Sequence, residues 1–183
     1  MDFYQILAQA IGIVAMVIAI LSFQQKTQRG VIRMQLISSS MFAVNMAMLG
    51  ATTGALMNVI GAVRSVVFSN KEKFHAEKIG WVYGFISMFL LFYVLTFTVF
   101  GTPVTPLRLV IEFLPVLGMS VQTISFHKKE ASHVRALGLI VSPSWLIYNC
   151  YGGSIGAILC EVFTLISIFV GIRRYDRKSS KKK

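Results

Sequence analysis

Charge is what this chain has least of. Only 18 basic and 7 acidic residues stand among 183, 14% in all, beside 55% hydrophobic residues. A soluble domain carries roughly 25% charged residues. So few charges cannot clothe a water-facing surface, which excludes a soluble enzyme or soluble binding module and makes lipid the natural solvent. Acidic residues are scarcer than basic ones, and the net charge is +11. In a soluble protein that balance would point to nucleic acid. In an apolar chain basic residues serve instead as topology signals at helix ends, and no nucleic-acid partner is expected. Cysteine is nearly absent. Cys150 and Cys160 both sit inside apolar segments, which suits free thiols better than a disulfide framework. His75, His127 and His133 lie among lysines without metal-ligand spacing. No G-x-S-x-G, H-E-x-x-H, P-loop or dinucleotide glycine pattern occurs, so neither a metal, a cofactor nor an enzymatic activity is expected. The opening MDFYQ lacks the basic region of a cleavable signal, and the first apolar run is expected to stay in the mature protein.

What the chain has is apolar length. A bilayer core about 30 Å thick takes ~20 apolar residues per helical span. Apolar stretches separated by charge or Gly/Pro clusters predict seven helices, at 4–23, 31–49, 53–69, 79–100, 105–126, 133–151 and 154–172. The third is the shortest. Seventeen of the 18 basic residues then fall after odd-numbered helices or in the tail, as Lys26, Arg29 and Arg33, Arg64 to Lys78, Lys128 to Arg135, and Arg173 to Lys183. The stretches "MLGATTG", "GTPVTP" and "YGGSIG" on the other side carry none, with Arg108 just beyond the second. That alternation predicts a multi-pass protein with its N-terminus outside and its C-terminus in the cytoplasm.

The chain also repeats itself. "LSFQQKTQRG" at 21–30 interrupts an apolar run, and "ISFHKKEASH" at 124–133 does the same. A shift of 103 residues superimposes Ser22 on Ser125, Phe23 on Phe126, Lys26 on Lys129, Val31 on Val134, Leu36 on Leu139, Ile37 on Ile140 and Ser39 on Ser142. With small gaps, Asn45 meets Asn149 and "GATTGAL" meets "GGSIGAI"; upstream, Gln9 meets Glu112 and Gly12 meets Pro115. Each block holds three helices. Three is odd, so one linking helix is needed to return the second block to the first block's orientation. The expected organisation is all-α and 3+1+3. Residues 1–70 form the first repeat, 71–104 a cytoplasmic loop and linker helix, 105–173 the second repeat, and 174–183 a basic cytoplasmic tail.

Polar groups inside such helices need a reason, because a charge at mid-bilayer costs about 2.5–3.5 kcal/mol on insertion scales. Glu161 stands seven residues into the last helix, roughly 10 Å deep at 1.5 Å per residue, and Glu112 sits at a similar depth in the fifth. Two carboxylates brought close in a low dielectric cannot both ionise cheaply, which suggests a shared-proton or cation site. The structural alternative pairs Glu112 with Arg108 at i, i+4 and leaves Glu161 protonated within the bundle. Asn58 aligns with Cys160, where its amide could bind a solute or tie helices together. Asn45 and Asn149 suit helix-end capping, and Arg64 is close enough to the basic end to snorkel, with a pathway role as the alternative. Trp81 and Trp145 suit interface anchoring or packing. "GWVYG" at 80–84 is a small-xxx-small pattern compatible with a homodimer.

The 3+1+3 layout resembles the SWEET and PQ-loop group of membrane transporters. "WLIYNCYGG" at 145–153 is similar to their W-x-x-Y-G stretch, "NVIG" at 58–61 to their pocket-lining N-x-x-G, and "SFQQKT" at 22–27 to their PQ corner, with Phe23 at the proline position. Glu112 and Glu161 would lie on neighbouring helices of such a three-helix unit. "EFLPVLG" at 112–118 and "YGGSIGAILCE" at 151–161 resemble more closely the YgjV-type bacterial inner-membrane proteins, over nearly the whole chain. That resemblance implies the fold and an inner-membrane location. The function expected is a small-solute carrier with its path between the repeats, lined by Asn58, Glu112 and Glu161. The alternative is a non-transporting membrane protein that acts through helix packing with a partner.

Overall fold

The structure, a computed structural model, describes residues 3–22, 28–127 and 131–173. These are helical, with short turns and no strand: α1 (Phe3–Ser22), α2 (Gln28–Met48), α3 (Thr52–Ser69), α4 (Lys71–Phe74), α5 (Gly80–Thr98), α6 (Pro106–His127), α7 (Ala131–Gly152) and α8 (Ile155–Gly171). The seven long helices fall on the seven expected stretches, their ends within three residues of expectation. The single turn α4 was not anticipated. Lys26, Lys128, Lys129 and the tail from Arg174 lie outside the described residues.

Four helices, α1, α3, α5 and α6, are long and apolar enough to cross a membrane; α8 is apolar but runs only 17 residues. The composition of α2 and α7 explains why they fall short. Arg33, Gln35, three consecutive serines and Asn45 dilute the first; Ser142, Ser144 and Asn149 dilute the second. Both are middle helices, α2 packed between α1 and α3, and α7 between α6 and α8. A helix covered on two sides by neighbours has less need of apolar residues than one facing lipid.

The two triplets meet along two seams, α3 against α6 and α1 against α8, so six helices close into a ring. Helix α5 lies outside that ring, against α3 and α6. Aromatic contacts hold it there: Phe68 of α3 meets Phe85 at 6.1 Å and Phe126 of α6 at 6.2 Å, and Phe85 stacks with Trp81 and Phe89. The outward faces are apolar. Leu91, Val94, Val110, Phe169 and Val170 are each more than half exposed, a surface suited to lipid and costly in water.

Charge and turn chemistry separate the two ends of the bundle. At one end Arg29 pairs with Glu72 at 3.9 Å, and Lys71 Nζ donates to the Phe126 carbonyl. At the other, the three turns after α2, α5 and α7 each place a glycine in the left-handed region, Gly50, Gly101 and Gly153, where a side chain would be strained. Glycine also sets the α1–α8 seam. A methyl group at Gly156 would overlap the backbone carbonyl of Gly12, so these helices cross in near backbone contact.

Candidate functional site: a polar cavity inside the helix ring

Every ring helix contributes to one cavity of about 120 Å³, and α5 contributes nothing. Helix α2 supplies Gln35, Ser38 and Ser39, with Phe42 and Met46 above them. Helix α7 supplies Ser142, Trp145 and Asn149, the matching helix of the other triplet. Asn58 of α3, Gln122 of α6, and Glu161 and Thr164 of α8 complete the polar wall. At ~30 Å³ per water, this space holds about four waters or a solute of that size.

Among the described residues Glu161 brings the cavity's one carboxyl group, and no lysine, arginine or histidine lines the wall. Its side-chain hydrogen bond comes from Ser142. Two further acceptors on the wall are buried without any donor: Gln35 Oε1 and Asn149 Oδ1. Asn58, 7% exposed, donates from Nδ2 to the Gly54 carbonyl of its own helix at 2.9 Å and lies 3.5 Å from Met46 Sδ. Its amide both ties the helix locally and faces the cavity.

Glu112 is elsewhere. Helices α6 and α8 do not pack together, because α7 lies between them, so the expected pairing of Glu112 with Glu161 does not form. Glu112 instead reaches Thr53 at the start of α3 and Tyr148 of α7, both within hydrogen-bonding reach of its carboxyl group, while its Oε2 is buried without a partner. The Tyr148 hydroxyl in turn accepts from the Gly54 N–H at 2.8 Å, and Thr53 Oγ1 donates to Thr96 Oγ1 of α5 at 3.0 Å. A carboxylate at a helix N-terminus is favoured by the unpaired amides there. Glu112 therefore buttresses the α3–α6 seam. Its expected partner Arg108 lies over the Tyr151 ring at 5.7 Å instead of forming an ion pair with it.

Gln9 occupies the counterpart place on the other seam. Its Nε2 donates to the Gly153 carbonyl at 2.9 Å, and the Ile155 N–H donates to its Oε1 at 3.1 Å, at the start of α8. Asn45 and Asn149 then diverge. Asn45 caps no end of its own helix; Nδ2 donates to the Ala8 carbonyl at 2.7 Å and Oδ1 accepts from Ser154 Oγ at 2.7 Å, tying α1, α2 and α8 together. At the start of α3 the residue in the N-cap place of Ser154 is Ala51, which has no hydroxyl to offer. Asn149 lines the cavity, and its carbonyl oxygen is buried without a donor.

Arg64 does not snorkel. It is 1% exposed and crosses the α3–α6 seam, donating from Nη1 to the Met119 carbonyl and Thr123 Oγ1, both at 3.0 Å, and from Nη2 to Gln122 Oε1 at 2.9 Å. The Phe126 ring covers its carbon at 4.6 Å. A cation that finds three acceptors and an aromatic face in the protein has no need to reach the interface. Its guanidinium holds the cavity residue Gln122 from behind.

Gln35, Gln122 and Ser142 were not singled out from the sequence, although the two glutamines are polar groups at membrane depth and the serine lies within the repeat. Trp145 proves to be a packing residue, 6% exposed with its indole against Gly118. A methyl group at Gly80 or Gly84 would meet no other described atom within 4 Å. Cys150 and Cys160 are both free thiols.

Among curated proteins the chain is similar to the inner membrane protein YgjV of Escherichia coli strain K12, 25% identical over 171 residues, which cover 93% of this chain and 85% of the relative. No solved structure matches it. The family Imp-YgjV, described as bacterial inner membrane protein, matches residues 6–179, nearly the length that closes the helix ring and its cavity. With apolar outward faces and four helices fit to cross a bilayer, the chain belongs to this family of bacterial inner membrane proteins.

Proposed function

We propose that this protein is a carrier or facilitator for a small polar solute, whose path runs through the cavity at the centre of the ring. The supporting observation is the cavity's composition. Four amides, a carboxyl group and several hydroxyls, drawn from five of the six ring helices, surround about 120 Å³ of space inside an apolar bundle. Buried polar groups without partners cost free energy, and a helix bundle that needed only to pack would fill this volume with apolar side chains.

The same reading takes the molecule as seven membrane spans in two parallel three-helix repeats, joined by α5, with its N-terminus outside and its C-terminus in the cytoplasm. The matched places of Gln9 and Glu112 at the starts of α8 and α3 support it, as do the matched seams. The grouping of Arg29, Lys71, Lys73 and Lys78 at one end supports the direction. The path is then bounded by Glu161, Asn58 and Asn149, with Glu112 and Arg64 holding one seam beside it.

Counterflow into proteoliposomes carrying the purified full chain, with a labelled panel of sugars, amino acids and amines, tests the carrier. Protein-dependent exchange of one class, reduced at least tenfold in Glu161→Gln, is the expected result. Silence across the panel from folded protein would leave a membrane protein acting through helix packing with a partner.

A further inference from the structure

We propose that the central cavity is a site for a small organic cation, a primary or methylated ammonium compound of about four non-hydrogen atoms, with Glu161 as its counter-charge. The proposal rests on the carrier reading for the cavity's accessibility and goes beyond it in naming the chemistry of the occupant.

The wall is unbalanced in favour of acceptors. Among the described residues Glu161 brings the only carboxyl group to it and no basic side chain lines it; Arg64, which bonds the wall residue Gln122, has its guanidinium turned to Met119, Thr123 and Gln122 on α6. Gln35 Oε1 and Asn149 Oδ1 have no donor from the protein although both are buried. The fate of Asn45 shows that this is not a general property of the fold. At the matching place in the other triplet, the same side chain has its oxygen satisfied by Ser154 and its nitrogen by Ala8. Asn149 is the copy whose oxygen is left without a donor.

An occupant that completes this wall must bring hydrogen-bond donors and a positive charge, which an ammonium group does at once. An ammonium group beside Glu161 would keep its carboxylate ionised at membrane depth; a neutral polyol would supply donors but no such counter-charge, and an anion would meet no countering cation on the wall. Phe42 and Trp145 add apolar and aromatic surface, which suits the carbon or methyl part of such a cation. The cavity's about 120 Å³ sets the size, equal to that of ~four waters.

The test compares near-isosteric probes on the purified full-length protein. Equilibrium binding of labelled ethanolamine is measured against competition by ethylene glycol, which replaces the ammonium by a hydroxyl, and by trimethylamine and sodium chloride. Ethanolamine and trimethylamine should bind at least tenfold more tightly than ethylene glycol. Glu161→Gln should weaken ethanolamine binding by about tenfold to a hundredfold, as expected for a charge-assisted hydrogen bond. Asn149→Ala should weaken it less, and it serves if Glu161→Gln fails to fold. Equal competition by ethylene glycol, displacement by sodium at matched concentration, or unchanged binding in both variants would overturn the proposal. The two readings separate cleanly. Ammonium binding without exchange in proteoliposomes keeps the cation site and removes the carrier, whereas exchange of a neutral solute without ammonium binding keeps the carrier and removes the cation site.

Discussion

At the scale of the residue, the contrast between Asn45 and Arg64 shows two ways of burying a polar group in an apolar bundle. Asn45, fully buried, satisfies both ends of its amide with neighbouring helices. Asn45→Ala removes two buried hydrogen bonds and leaves the Ser154 O–H without its acceptor, which should lower stability by roughly 2–3 kcal/mol. Thermal or denaturant unfolding in detergent would measure that loss, and an unchanged midpoint would show that the tie contributes nothing. Arg64 donates three hydrogen bonds across the α3–α6 seam. Arg64→Ala leaves a cavity and an unpaired Gln122 oxygen, a loss of about 3 kcal/mol. Arg64→Met keeps most of the volume and removes a buried charge, so it should be distinctly milder. Equal destabilisation by both substitutions would mean that the hydrogen bonds, not the packing, carry the residue's contribution.

At the scale of the element, helix α3 is the least apolar of the four helices fit to cross a membrane and the most buried. The two facts have one cause. It is packed against α2, α5 and α6, so Asn58, Arg64 and Ser65 face protein instead of lipid. The glycines divide by the same logic of contact. Gly156 lies against the Gly12 backbone, and backbone cannot move aside as a side chain can, whereas nothing approaches Gly84. Gly156→Ala should therefore separate α1 from α8 and reduce the yield of folded protein several-fold. Gly84→Ala should be neutral or stabilising by up to about 1 kcal/mol, the helix propensity difference between the two residues. Size-exclusion profiles of the two variants, prepared side by side, would decide. A folded Gly156→Ala protein would refute the close crossing.

At the scale of the whole molecule, the testable statement is direction. In a chain with Cys150→Ser and Cys160→Ser, single cysteines at Val104 and at Glu77, both exposed, stand in turns after α5 and before it. An impermeant maleimide added to intact cells should label the Val104 cysteine and spare the Glu77 cysteine until the membrane is broken. The reverse pattern would invert the orientation that the basic residues imply.

How much of this was legible in the residues follows from what each signal depends on. Helix positions depend on local composition and on where glycine, proline and charge interrupt it. The seven stretches were readable for that reason, as were the glycine turns at Gly50 and Gly153. The membrane follows from the shortage of charge alone. The repeat put Gln9 opposite Glu112 and Asn45 opposite Asn149 without saying what any of the four touches. Their contacts depend on which helices become neighbours, and that choice is made by packing between residues from 37 to 146 positions apart. Only the tertiary arrangement set α7 between α6 and α8, separated Glu112 from Glu161, turned Arg64 inward, and gave Ser154 to Asn45 while leaving Asn149 open. Composition therefore determined the solvent and the helices of this protein. The ring closure, a matter of which side chains fit together, decided which of its polar residues hold the fold and which face the cavity.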